Sequence, residues 1–229
     1  MGKNTGIKFE KGIVAVSRGS TTATPEAYSA HENIILEFGS TYGLKHSSEV
    51  RLKCNPKADI LFANRTRAGI SVKKQGTIQL ASGGLNYNSN SFKLCYEEVR
   101  ELLTPSEDYV VQDLLAKFPK ENLYIPNPEW DSWRSSTGQI IDDALKNVWD
   151  NVPLFREAVV DEMLSGRRLY KDKPRAIADY ILTPTKISKI DKNYVTNASP
   201  HVKIRIAAKG RWKHKVRHRE VSVRFDYKT

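Results

Sequence analysis

Pro56-Lys57-Ala58-Asp59-Ile60-Leu61 runs, through the turn-prone Asn64-Arg65-Thr66-Arg67-Ala68, into Gly69-Ile70-Ser71-Val72-Lys73-Lys74. Two short runs rich in β-branched and aliphatic residues, parted by such a turn, predict paired strands over Ala58–Ala63 and Gly69–Lys74. Residues i and i+2 of a strand share a face, so Ser71 and Lys73 project together while Ile70 and Val72 face a core. Asp59 on the adjoining strand is then in position to meet them. Upstream, Glu49–Cys54 alternates charge with Val50 and Leu52 and is expected to add a strand. Thr24-Pro25-Glu26 supplies a hydroxyl cap and a first-turn proline. The helix it opens should run to Phe38, with Ala27, Ala30, Ile34 and Phe38 on one face and Gly39 as its stop. Gly12–Val16 is expected as a further short strand, and Thr77–Ala81, with Gln79, as an extension of the sheet.

This arrangement resembles the core of the PD-(D/E)xK, restriction-endonuclease-like nuclease superfamily, over roughly residues 25–85. The pattern there is an acid entering one strand and acid-x-Lys on its neighbour. The resemblance implies a catalytic set of Asp59, Ser71, Lys73 and a helix-borne glutamate, and a Mg²⁺ cofactor. Its chemistry is cleavage of phosphodiester bonds: carboxylates converge on a hard cation, and the lysine orients water and offsets developing charge. Ser71 stands where an acid is expected, so a carboxylate must come from elsewhere. Glu32 is the favoured replacement, with Glu37 close behind, both on the helix before the sheet; the implied metal ligands are Asp59 with Glu32 or Glu37. Glu97 and Glu98 downstream are the remaining candidates.

Beyond Gly83-Gly84 the period changes to helical. Phe92–Leu103, a helix opened by Ser106-Glu107-Asp108 and reaching Phe118, and the helices Gln139–Asp150 and Val152–Leu164 follow, with a structured loop over Pro119–Gly138 that holds Trp130 and Trp133. Arg175–Ile190 and His201–Tyr227 read as strand-rich, the latter a long hairpin bent near Lys209-Gly210. The expected class is therefore α/β (α+β), a small mixed sheet flanked by helices with a basic C-terminal β-hairpin region. Its expected divisions are 1–165, a nuclease-like core with a helical insertion, and 166–229, a nucleic-acid-binding region.

Charge supports that division. The 229 residues carry a net +11, yet residues 166–229 hold 18 Lys and Arg against 5 Asp and Glu. An excess of that size seeks a polyanion. The run Lys209–Arg219 embeds an indole among cations, and the expected contact set is Lys203, Arg205, Arg211, Trp212, Lys213, Lys215, Arg217 and Arg219. Lys203 and Arg205 should share a face opposite Val202, Ile204 and Ile206. DNA is the first partner expected, with RNA the other polymer that fits, and a homodimer is compatible with the sequence. His214 and His218 lack a third ligand for zinc. No GxxxxGK[ST], GxGxxG or GxSxG pattern occurs, so nucleotide hydrolysis and serine-hydrolase chemistry have no support.

Cys54 and Cys95 lack metal-site spacing and read as reduced structural thiols. No secretory h-region or membrane-length apolar run appears, so a cytoplasmic protein off the membrane is expected. The leading expectation is a Mg²⁺-dependent endonuclease acting on DNA, of restriction or phage type. The competing one is a non-enzymatic nucleic-acid-binding protein that uses the same hairpin. A virion structural protein with a basic surface is a third.

Overall fold

Phe9, Ile13 and Val14 recur at helical spacing, and they are the buried stripe of the first helix, α1 (Thr5–Ser17). The structure, a computed structural model, describes residues 5–65, 68–73, 77–79, 85–213 and 216–228. The strand expected at Gly12–Val16 is thus part of a helix. The β-branched Ile13, Val14 and Val16 favour strand locally, but burial against the next helix overrides that preference. Gly12 faces that helix: a Cβ there would stand 3.4 Å from Ala27 Cβ, at ordinary van der Waals contact. That helix, α2 (Pro25–Phe38), starts and stops where its sequence signals lie. Thr24 caps the Ala27 N–H, Pro25 begins the first turn and Gly39 ends the helix at φ 71°.

Next come β1 (Leu44–His46), β2 (Ile60–Phe62) and β3 (Ile70–Val72). The expected strand at Glu49–Cys54 does not form. Glu49 instead closes a capping box on His46 over a single 3₁₀ turn, Ser47–Glu49, which takes the local backbone out of extended geometry. β4 (Thr77–Gln79) forms within the expected segment but does not extend the sheet of β2 and β3, since it pairs with the last strand of the chain in a second sheet; the side chain of Gln79, like Lys74, lies outside the described residues.

The helical stretch comprises α3 (Leu85–Val99), α4 (Pro105–Lys117), a short strand β5 (Tyr124–Pro126), α5 (Trp130–Ser135), α6 (Thr137–Asn151) and α7 (Pro153–Ser165). Then follow β6 (Tyr180–Leu182), β7 (Ile187–Lys189), α8 (Lys192–Ala198) and the long strands β8 (Val202–Lys213) and β9 (Val216–Lys228). The fold is mixed α/β with two sheets, as expected. Among the described residues no helix is long and apolar enough to cross a membrane.

The chain divides into two units, but not at residue 165. The first comprises residues 1–78 and 164–197, the second 79–163 and 198–228. The reason is topological. β3 pairs with β6 in parallel, and parallel neighbours require a crossover between them. Most of the second unit is inserted in that crossover, so the chain must return to the first before the hairpin begins.

In the first unit the sheet order is β1-β2-β3-β6-β7, antiparallel apart from β3–β6. Ile60, Phe62, Ile70, Val72 and Leu182 pack with the stripes of α1 and α2. Strand β3 is buried along its whole length. Its approach to the segment before β6 is so close that a Cβ on Gly69 would lie 2.0 Å from the Ile177 carbonyl oxygen.

In the second unit β9 lies between β5 and β8, antiparallel to both. The hairpin does not bend at Lys209-Gly210. Pairing continues to Lys213↔Val216, so His214 and Lys215, which lie outside the described residues, separate the strands. A T-shaped cluster of Phe92 with Phe118, Phe155 and Phe225 fills the core.

Gly69→Ala tests the close approach. Overpacking against backbone leaves little room for relaxation, so it should cost about 2–3 kcal/mol of stability, read as a lower midpoint in chemical denaturation; an unchanged midpoint would remove the constraint.

Candidate active site

Asp59 enters β2 from a backbone held on both sides. Its N–H donates to the Ile70 carbonyl at 2.9 Å and its carbonyl accepts from the Ser47 N–H at 2.8 Å. Its carboxylate then reaches along the β2–β3 pair. Oδ2 accepts from the Val72 N–H at 2.7 Å and from the Ser71 hydroxyl at 3.3 Å, and Lys73 Nζ stands 3.7 Å away. Lys73 is itself fixed where β3 ends, its N–H donating to the Leu182 carbonyl of β6 at 2.8 Å. The structure therefore brings together Asp59, Ser71 and Lys73 as the spacing implies. Ser71 is buried, and its hydroxyl positions Asp59.

Glu10, from α1, is a carboxylate that feels the charges of both Asp59 and Lys73. Glu10 Oε2 accepts from His46 Nε2 at 3.0 Å, and His46 Nδ1 lies 2.7 Å from the Ser48 hydroxyl. With Nε2 donating to Glu10, Nδ1 accepts from Ser48, whose N–H also points to it at 3.2 Å. Burial pushes the Glu10 carboxyl above the ordinary carboxylate range, and the nearby Asp59 charge pushes the same way; His46 and Lys73 oppose this without cancelling it. Asp59 Oδ1 and Glu10 Oε1 accept no hydrogen bond among the described residues. Two repelling carboxylates with spare oxygens beside an ammonium group are a donor set that suits a hard divalent cation, which takes one or two carboxylates and completes its shell with water and phosphate oxygens. Among the described residues no group of three or more His, Cys, Asp and Glu side chains is arranged to hold a metal ion.

Glu32 and Glu37 do not join this centre. Glu32 is exposed, because the buried face of α2 is Ala27, Ala30 and Ile34, and position 32 lies half a turn from both 30 and 34. Glu37 hydrogen-bonds the Tyr180 hydroxyl and lines a cleft with Arg65, Ala68, Asp179 and Lys189. That cleft is where β2 ends and β3 begins, opposite the end that carries Asp59 and Lys73. Glu97 pairs with Lys93 on α3 of the second unit. Glu10 was missed because its segment reads locally as strand; the Phe9, Ile13, Val14 stripe was the available signal.

In the second unit, Lys203 and Arg205 are exposed while Val202, Ile204 and Ile206 are buried, as alternation requires. Arg211 is exposed and held by Glu220 at 2.6 Å. The register puts Arg217 and Arg219 on the other face, opposite Trp212 and Gly210. The expected cations therefore split between two faces. The side chains of Trp212 and Lys213, and Lys215 entirely, lie outside the described residues.

Comparison with protein-family models, with curated proteins and with solved structures finds no match to this chain. The chemistry must be argued from these side chains alone.

A pH-dependent prediction follows from Glu10. Its carboxyl has a folded value above its unfolded value, so ionisation opposes folding. The penalty is absent below the unfolded range and complete once pH rises past the folded value. Glu10→Gln should therefore leave metal-free stability unchanged in acid and raise it towards neutral pH. Thermal melts across that range check this; a variant less stable than wild type at neutral pH would contradict it.

Proposed function

We propose that the chain is a divalent-metal-dependent nuclease that hydrolyses phosphodiester bonds in DNA, as a variant of the PD-(D/E)xK arrangement with serine at its second acidic position. The observation that supports it most is Asp59 with Lys73 3.7 Å away at one end of a mixed sheet, with the helix-borne carboxylate of Glu10 within electrostatic reach of both. Asp59 and Glu10 are the residues that would hold Mg²⁺, whose role when bound is to polarise the scissile phosphate and acidify a water. The Lys73 ammonium would orient that water and offset charge developing on phosphorus-bound oxygens. Ser71 and the Val72 N–H hold Asp59, and His46 holds Glu10, so the acids need no rearrangement as the reaction proceeds. A cytoplasmic setting, DNA as partner and a homodimer are parts of the same proposal.

A second reading, nucleic-acid binding without a reaction, is favoured by the absence of a three-ligand cluster among the described residues. The two part on one assay: incubation of a plasmid with Mg²⁺, beside a gel shift in Ca²⁺. Asp59→Asn and Lys73→Ala should each lower the cleavage rate by about two to three orders of magnitude with DNA binding retained. Glu10→Gln should behave likewise, and Glu32→Gln and Glu37→Gln should cut as wild type. Equal cutting by both the Asp59 and Lys73 variants would refute the proposed centre. A wild type that binds but cuts no DNA leaves the binding reading in its place.

A further inference from the structure

The exposed edge of β8 carries a second feature, wholly inside the second unit. Ile204–Ala208 of this strand line an open groove of about 640 Å³. Consecutive residues line it because it follows the strand's edge and not one of its faces. Arg134 of α5, Lys146 of α6, and Lys203, Arg205, Arg219 and Arg224 of the hairpin surround it, with Trp130 at its wall. Asp142 is the one acid in that lining, and its oxygens are committed. Oδ1 accepts the Ile206 N–H at 2.8 Å, and Oδ2 meets Arg134 at 3.1 Å and Lys146 at 3.4 Å. The groove is therefore strongly positive.

Three further observations say what it suits. Among the described residues, Arg134 Nη1 and Arg219 Nε are buried donors with no hydrogen-bond partner, a state that an oxyanion reaching them would relieve. Arg205 and Arg224 stand directly opposite one another in the ladder, a like-charge pairing that opposes sheet formation. Asp226 touches both, at 3.5 and 2.7 Å, and offsets only part of this. Trp130 is stacked on Trp133 at 5.5 Å with 28° between the rings, so its indole is held in one orientation beside the cations. Guanidinium groups with an open donor match phosphate geometry, and an aromatic face beside them matches an unpaired base. Bases of a duplex are already stacked inside it and cannot offer a face to Trp130.

We infer that the β8-edge groove binds a single strand of nucleic acid, with phosphates on Arg134, Arg219, Lys203 and Arg205 and a base on Trp130. This rests on the reading of the chain as one that acts on nucleic acid, and it names the form of the polymer that the second unit grips: an unpaired stretch.

The test uses the full chain with EDTA, so that no cleavage chemistry enters. Binding of short fluorescent single strands, DNA and RNA, and of the matching DNA duplex is followed by anisotropy over a range of salt. The single strands should bind more tightly than the duplex. Lys203→Ala and Arg219→Ala, neither of which breaks an ion pair among the described residues, should each flatten the salt dependence by about 0.7 in log–log slope. Trp130→Leu should weaken single-strand binding roughly tenfold or more and leave the duplex unaffected. Circular dichroism and melting curves show that each variant is folded, and the exposed Lys203 keeps one variant safe in that respect. A duplex preference, wild-type binding by all three folded variants, or equal competition by polyglutamate would each overturn the inference. Its failure is distinct from failure of the nuclease reading: Mg²⁺-dependent cutting with an inert groove sinks only this, and a working groove without cutting sinks only that.

Discussion

The hydrogen bond from the Val72 N–H to the Asp59 carboxylate, 2.7 Å long, is the constraint on which the first unit's chemistry depends. β2 and β3 are three residues each and share one recorded register pair, Ile60↔Ile70. Such short strands leave backbone donors beyond the ladder, and a buried donor without a partner is expensive. Asp59 satisfies one of them with its Oδ2 and thereby fixes its own rotamer. The same oxygen takes the Ser71 hydroxyl and faces Lys73. One carboxylate oxygen is spent on holding the structure, and the other is left over. A half-committed carboxylate is held rigid while one oxygen stays open, which the proposed metal ligand would require.

The same device recurs where strands need finishing. Asp179 accepts the Ala68 N–H at 3.0 Å, just before β3, where Ala68 has a φ of 131°. In the second unit Asp142 accepts the Ile206 N–H of β8, and the Trp149 indole donates to the Val202 carbonyl at 2.8 Å. These two bonds tie α6 to the outward edge of β8 at Val202 and Ile206, which hinders pairing of that edge with another chain while leaving a groove beside it. Burial raises the cost of ionising Asp142, yet the Ile206 N–H and Arg134 outweigh it and hold the carboxyl below its ordinary range. A buried anion of this kind requires nearby cations, and it draws Arg134 and Lys146 to the strand edge. The groove's charge is thus partly a by-product of how the edge is closed.

These bonds also explain what the sequence could and could not reveal. Thr24-Pro25 and Gly39 mark α2 because capping is local chemistry, and it acts within four residues. Val202, Ile204 and Ile206 mark β8 because alternation is local too. Asp59 and Lys73 were legible because a strand's period places them. Glu10 was not, since its role depends on α1 packing on α2 through Gly12 and Ala27, a contact between segments whose local preferences point elsewhere. The division at residue 165 failed for a related reason: charge changes sharply along the chain there, but the parallel β3–β6 pair carries residues 164–197 back to the first unit. Pairing partners far apart in sequence leave no mark in composition.

Net charge misleads in the same way when it is read along the chain. Residues 1–165 are close to neutral, and residues 166–229 hold the excess. Folding redistributes both. The first unit places Glu10 within the field of Asp59, which together with burial raises the Glu10 carboxyl above its ordinary range; in the proposed reaction a bound cation would offset that repulsion. The groove of the second unit gathers Arg134 and Lys146 from the near-neutral part of the chain and adds them to hairpin residues. On the proposed reading, a polyanion would gain its affinity from the groove, where the guanidinium charges are permanent. Cleavage, on the same reading, would fall to the first unit, where Asp59 and Glu10 would hold the cation. Affinity supplied by the groove's own cations would then not have to be spent on holding two mutually repelling carboxylates near one another.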